Sequence, residues 1–255
     1  MPNVESLPVL LKELRLAAFE RHWEEQQKIA LDEQVMPAQY LAALCSLEAT
    51  MRYERRLKRM IKDATLPPGK SFESLDFRAF KSVTKAKVHK FSSDIGWIQR
   101  AENLLLFGPS GVGKTHIASA IGYALLEKGI RVKHWSATQL VQHLQRAREQ
   151  LDLFDALTRL DRYAVLIVDD IGYVKKNEQE TQVLFELIAH RYEAGSMIIT
   201  SNQPFSEWDK IFEDNMMTVA AIDRLVHHAT VLECKEESYR KKQSLKRKTA
   251  QKAEK

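Results

Sequence analysis

Leu104-Leu105-Leu106-Phe107-Gly108-Pro109-Ser110-Gly111-Val112-Gly113-Lys114-Thr115 is the stretch that decides how this chain folds. Four apolar residues without alternation predict a strand buried on both faces, and they run straight into a glycine-rich loop followed by a helical pattern. The loop fits Gly-x-x-x-x-Gly-Lys-[Ser/Thr]. Its glycines let the backbone curl so that successive N–H groups point at phosphate oxygens, helped by the positive end of the next helix. Lys114 is placed to neutralise the β- and γ-phosphate oxygens, and the Thr115 hydroxyl to ligate Mg2+. The chain has only nine glycines in 255 residues, yet three fall within six positions here. Gly108 through Thr115, with His116, are therefore the candidate nucleotide-binding residues.

Downstream, Val165-Leu166-Ile167-Val168-Asp169-Asp170 is a second apolar run ending in carboxylates. It places Asp169 at the C-terminal edge of the sheet, where ligands bind in open α/β folds, to hold Mg2+. Asp170, pointing differently, is expected to orient or deprotonate an attacking water. In Ile198-Ile199-Thr200-Ser201-Asn202 the strand-end Asn202 is placed to reach the γ-phosphate or that water. Val132-Lys133-His134-Trp135 and Thr230-Val231-Leu232 complete five short runs separated by helical stretches. The expected class is α/β, a five-stranded parallel sheet covered by helices.

Upstream, residues 5–62 contain no glycine, and Leu7, Leu10, Leu11, Leu14, then Tyr40, Leu41, Leu44, Leu47 recur at helical spacing. Pro37 suits a first helical turn, and Thr65-Leu66-Pro67-Pro68-Gly69 breaks the pattern. The expected organisation is a helical domain over 1–66, a basic linker over 67–90, the α/β core over 91–240 and a basic tail over 241–255.

Charge follows that division. Residues 52–70 carry seven bases and two acids, 78–90 five bases and no acid, and 235–255 nine bases and three acids, within a net charge of +5. Clustered cations of this kind are the electrostatic footprint of nucleic-acid binding, without sequence specificity. The composition, 44% hydrophobic and 29% charged, excludes disordered, collagenous and disulfide-scaffold classes. Cys45 and Cys234 stand far apart in no metal or redox motif. No run of 18 apolar residues and no signal-peptide pattern occurs, so a cytoplasmic protein with no membrane partner is expected.

With these pieces in order, the chain resembles the AAA+ ATPases, and more narrowly the DnaC/IstB group, in which helicase loaders sit beside the ATP-binding helpers of bacterial insertion sequences. The resemblance covers nearly the whole chain. Lys70-Ser71-Phe72-Glu73-Ser74-Leu75-Asp76-Phe77 looks like the linker before the ATPase core, and Asp169-Asp170-Ile171-Gly172 like the group's aspartate pair. Leu11-Lys12-Glu13-Leu14-Arg15-Leu16 and Arg55-Arg56-Leu57-Lys58-Arg59 are closer to IstB proteins than to loaders. The resemblance implies ATP and Mg2+ as cofactors, a ring or spiral homo-oligomer, Arg224 of Asp223-Arg224-Leu225 as an arginine finger for a neighbouring subunit, and Arg240 of Ser238-Tyr239-Arg240 as a nucleotide contact within its own subunit. Without it, Arg191 competes as the finger. Two departures stand out. No large lid fits in the 15 residues after Arg240, and Asp170 is one methylene shorter than the usual Glu, which implies slow water activation.

Three functions compete. The first is a transposition helper that assembles on double-stranded DNA with ATP, remodels it, recruits or activates a separate cognate transposase, and disassembles on hydrolysis. Its expected DNA contacts are Arg55, Arg56, Lys58 and Arg59, the linker residues Lys85 and Lys87, and Lys175 and Lys176 in the loop after the aspartates. The helix over Thr138–Glu149, with Arg146 and Arg148, is a further candidate. The second is a replicative helicase loader, which shares every nucleotide residue. The third, a small-molecule P-loop kinase, needs an acceptor pocket and a cationic lid that the short tail does not offer. Strand-transfer chemistry by this chain is not expected, because Asp169 and Asp170 are adjacent and committed to nucleotide. His227-His228 reads as a surface pair, since neighbours on a helix diverge, and Trp97 and Trp135 read as packing residues.

Overall fold

The computed structural model describes residues 4–172, 177–210, 215–236 and 238–239. They divide into two units, Met1–Arg59 and Met60–Lys255. The first is helical. Helices α1 (Leu7–Glu13) and α2 (Ala17–Asp32) precede α3 (Pro37–Ala64), which opens on proline as its spacing predicts. Arg15 and Gln34, both at φ +55°, turn the chain between them. Glu48 of α3 is buried and accepts the Ala18 N–H in the first turn of α2 at 2.7 Å, while its other oxygen meets Arg52 Nε at 2.6 Å. Burial works against the carboxylate's charge, but those two hydrogen bonds together with the positive charges of Arg52 and Arg55 outweigh it and hold its pKa below the usual range.

The last turn of α3 belongs to the second unit. The Asp63 carboxylate accepts hydrogen bonds from the Tyr163 hydroxyl at 3.0 Å and from Arg131 at 3.3 Å, and Ala64 is fully buried. The division therefore falls ahead of the Thr65–Gly69 break.

In the second unit, α4 (Lys85–Ser93) and α5 (Gly96–Gln99) lead to β1 (Asn103–Phe107), α6 (Lys114–Glu127), β2 (Val132–Ser136), α7 (Ala137–Glu149), α8 (Leu153–Leu160), β3 (Val165–Asp169), α9 (Glu178–Arg191), β4 (Ser196–Ser201), α10 (Asn215–His227) and β5 (Ala229–Glu233). The five strands form one parallel sheet in the order β2-β3-β4-β1-β5. Strand residues alternate between faces. Leu105, Phe107, Leu166, Val168, Met197 and Ile199 pack with Leu140, Leu144, Leu184 and Leu187 of α7 and α9 on one side. Leu104, Leu106, Ile167 and Ile198 are equally buried on the other, where α6 lies against Ile167. Full burial on both faces is why the inner strands read as continuous apolar runs. The edge strands β2 and β5 are only half covered and carry more polar residues. Trp97 is buried and donates its indole N–H to the Phe91 carbonyl at 3.1 Å, a packing role. Among the described residues no helix is long and apolar enough to cross a membrane.

Arg191, at the end of α9, is 2% exposed. Its guanidinium donates to the Tyr163, Ala164 and Ser196 carbonyls at 3.0, 3.2 and 3.0 Å, tying the entries of β3 and β4 together. It is a structural clamp and is not available as a finger.

Candidate nucleotide site

Because β4 lies between β1 and β3, three strand ends meet at one edge. Gly108 leaves β1, Ser201 ends β4 and Asp169 ends β3, and the Gly108 N–H donates to the Ser201 carbonyl at 3.2 Å. Gly108 has φ +145°, and a Cβ there would stand 2.1 Å from the Cys234 carbonyl oxygen. Gly113, at φ +105°, precedes the first residue of α6, and its Cβ would strike the Phe80 ring at 2.8 Å. These glycines give the loop its curl and admit the neighbouring chain close to it. Lys114 is buried, and its ammonium donates to the Gly108 and Pro109 carbonyls at 2.7 and 3.0 Å, which holds the cation over the loop.

Asp169 is the hub. Its Oδ1 accepts the Thr115 hydroxyl at 2.9 Å and the Thr200 hydroxyl at 2.6 Å, and its Oδ2 lies 3.8 Å from His134 Nε2. Burial pushes the carboxyl toward protonation, but the contacts from His134, Thr200 and Thr115 outweigh it and keep its pKa below the ordinary carboxylate value. The depressed pKa contributes stability that is present above that ordinary value and is lost as the pH falls through the lowered one. Asp170 takes a left-handed conformation, φ +60°, tolerable for Asp, and its N–H donates to Thr200 Oγ1 at 2.8 Å. That turn aims the two neighbouring carboxylates differently. Thr200 thus connects Asp169 to the backbone of Asp170, a role the reading of its strand missed in favour of Asn202. A fully buried Thr inside an apolar strand was the available signal. Replacing Thr200 by Val removes the acceptor of the Asp170 N–H and one of the two hydroxyls on Asp169 Oδ1, and is expected to cost about 1–3 kcal/mol in urea denaturation, with Ser retaining most of it. A loss under about 0.5 kcal/mol, the scale of a surface change, would contradict the bridge.

Asn202 follows Ser201 beside Gly108, and its Oδ1 is buried with no hydrogen-bond partner, a polar atom left to meet a ligand. A hydroxyl, a carboxylate held ionised and a lysine at a glycine loop fit MgATP, and the oxygen-only donors Thr115 and Asp169 suit Mg2+. The His116 imidazole turns to the linker instead, with Nε2 3.0 Å from Ser74 Oγ and 3.1 Å from the Ser71 carbonyl, and burial lowers its pKa.

The chain past β5 also returns to the loop. Glu236 accepts the Lys81 and Ser82 N–H groups, each at 2.7 Å, and Tyr239 donates its N–H to the Gly111 carbonyl at 3.0 Å. Arg240, Lys175 and Lys176 lie outside the described residues.

Arg224 sits elsewhere. It belongs to α10, where its guanidinium stacks 5.2 Å from the Phe185 ring and donates to the Ala220 carbonyl at 3.0 Å. The next residue, Leu225, gives its carbonyl to the Asn103 side chain at the start of β1. At about 3.3 Å per residue, the four steps from Asn103 to Phe107 span about 13 Å, so Leu225, the neighbour of Arg224, is tied to the end of β1 opposite the phosphate loop. Of the expected DNA contacts, Arg55, Arg56, Lys58 and Arg59 are exposed on α3, and Lys85 and Lys87 are exposed in the first turn of α4.

Comparison with known proteins agrees with this geometry. The chain is 46% identical over 242 residues to the insertion sequence ATP-binding protein y4iQ/y4nD/y4sD of Sinorhizobium fredii, covering 95% of this chain and 81% of that one. It is 35% identical over 243 residues to the insertion sequence IS21 ATP-binding protein of Pseudomonas aeruginosa, covering 95% and 91%. The solved DnaC helicase loader shares the fold, with a TM-score of 0.51 at 19% identity over 59% of this chain and 87% of that one. A family model described as IstB-like ATP binding protein matches residues 9–247, and the chain belongs to that family.

Proposed function

We propose that this protein is an ATP-dependent, DNA-binding helper of transposition, which assembles on duplex target DNA, remodels it, recruits or activates a separate transposase and disassembles when ATP is hydrolysed. The observation that carries the proposal is the separation of phosphate loop and Arg224 across the sheet. A cation held at the far end of β1 from its own phosphate loop is suited to a neighbouring copy, so occupancy of the nucleotide site and assembly become one event.

Within each copy, Lys114 and the loop N–H groups hold the phosphates, and Thr115 and Asp169 would hold Mg2+, which would supply neutralisation of phosphate charge. Asp170, steered by Thr200, orients the attacking water. Asn202 meets that water or the γ-phosphate, and Arg240 contacts nucleotide within its own subunit. Arg224 of the next copy stabilises charge developing on the γ-phosphoryl. DNA would be gripped by Arg55, Arg56, Lys58, Arg59, Lys85, Lys87, Lys175 and Lys176. Arg146 of α7 supports this reading. It opens on a cavity of about 560 Å³ shared with Lys133, Trp135 and His143, where the two rings stack 5.2 Å apart. Insertion-sequence relatives favour this reading over the helicase loader, which shares every nucleotide residue and predicts a stable complex with a replicative helicase in a pulldown.

Sedimentation with a duplex of ~50 base pairs is expected to show a multimer with ATP that is lost with ADP, with Lys114→Ala and on raising salt. A species indifferent to duplex and nucleotide would overturn the proposal.

A further inference from the structure

His227 ends α10, and His228 is the single residue linking it to β5. Successive side chains within a helix diverge by about 100°. The helix stops at His227, however, and the two imidazole centroids come to 4.1 Å, which corrects the divergence expected from the sequence. Glu193 arrives from the turn between α9 and β4 at φ +56°, with Oε1 3.7 Å from His228 Nε2. One ligand atom from each of the three residues lies within 4.8 Å of the others, and all three residues are exposed. The Tyr192 hydroxyl stands 2.8 Å from His227 Nδ1, the kind of outer contact that orients a ligating imidazole.

Both supporting segments are pinned to buried structure. The His228 carbonyl accepts the Asn103 N–H of β1 at 2.7 Å. The Glu193 turn is closed by Ala194 and Gly195 N–H groups on the Arg191 carbonyl, at 3.1 and 3.0 Å, beneath which the Arg191 side chain is clamped.

From this arrangement we infer a binding site for a transition-metal dication of the Zn2+ class, made by Glu193, His227 and His228. Two imidazoles and one carboxylate leave a coordination position for water and select Zn2+ or its neighbours over Mg2+, which demands oxygen ligands. Ligand atoms around Zn2+ stand about 3.3 Å apart, so exposed side chains rotate inward to close the site. Loading would fasten the final turn of α10, one turn beyond Arg224.

The test is calorimetric titration of Zn2+ into the full-length, tag-free, chelator-stripped protein, with Mg2+ in excess to occupy the oxygen-donor site. One equivalent is expected to bind. His228→Ala and Glu193→Gln should each weaken binding at least tenfold, and Tyr192→Phe by about 10–100-fold. Cys45→Ser, at the exposed thiol, should change nothing. Circular dichroism verifies that the variants fold, and Zn2+ should raise the melting temperature of the parent chain but not of His228→Ala. No uptake by the parent chain, or uptake equal in the parent, His228→Ala and Glu193→Gln, overturns the inference.

Discussion

Arg191→Ala is expected to lower the stability of the α/β unit by about 3–5 kcal/mol, a large share of the ~5–15 kcal/mol that holds a domain together. The guanidinium is 2% exposed, donates to three carbonyls at 3.0–3.2 Å and stands 3.7 Å from Asp161. Its removal takes a charged donor from three carbonyls, of which that of Ala164 keeps the Ser196 N–H at 3.3 Å, and opens a cavity at the entry edge of the sheet; a buried carbonyl left without a donor costs about 1–3 kcal/mol before relaxation. Lys will not rescue it, because a single ammonium does not reproduce the planar fork that serves separate carbonyls. Gly195→Ala should act through the same contact, since a Cβ there falls 2.4–2.8 Å from the guanidinium. Thermal denaturation reads the effect. At about 2–4 °C per kcal/mol for a unit of this size, the midpoint should fall by roughly 6–20 °C. A shift of ~2 °C or less would mean that the clamp is not what joins β3 to β4.

Arg191 also shows what the sequence could convey. The fold was legible because continuous apolar runs at Leu104–Phe107, Val165–Val168 and Met197–Thr200 have one simple explanation, burial on both faces. The phosphate loop was legible because its chemistry is local, carried by glycines, a lysine and a hydroxyl in consecutive positions. Contacts between distant elements were not. Whether Arg191 faces solvent or three carbonyls depends on the turn that follows it, and Gly195, four residues on, was the only local sign of crowding. His134 reaches Asp169 from a neighbouring strand, a relation that register alone creates. Thr200 was passed over for Asn202 because a strand-end polar residue draws attention that a buried hydroxyl within the strand does not. The helix of His227 and His228 ends between them, so a rule for helix interiors gave the wrong directions. Helix α3 ends at the break, but the two units divide before it. Pro67-Pro68-Gly69 marks where the chain must bend, whereas Asp63 and Ala64 are already packed into the α/β unit.

The second large effect concerns Arg224. Arg224→Ala is expected to leave nucleotide binding by the single chain intact and to lower hydrolysis on duplex DNA by about 10³–10⁵-fold, the contribution of such cations in phosphoryl transfer. The residue stands beside Leu225, whose carbonyl meets Asn103 at the entry end of β1, while Lys114, Thr115 and Asp169 gather at the exit end. Within one copy the two groups act at opposite edges of the same sheet. Asp170→Asn removes the opposite half of the chemistry. It keeps nucleotide contacts and Arg224 and loses the carboxylate proposed to orient water. Each variant alone should be nearly inactive.

Whether a second copy completes each nucleotide site is therefore read from the ATP hydrolysis rate of Asp170→Asn and Arg224→Ala mixed in equal amounts on duplex DNA. If a second copy completes each nucleotide site, the mixture regains a substantial part of the wild-type rate, because the intact site of one variant meets the intact arginine of the other. A mixture no faster than the sum of its two components would contradict the account.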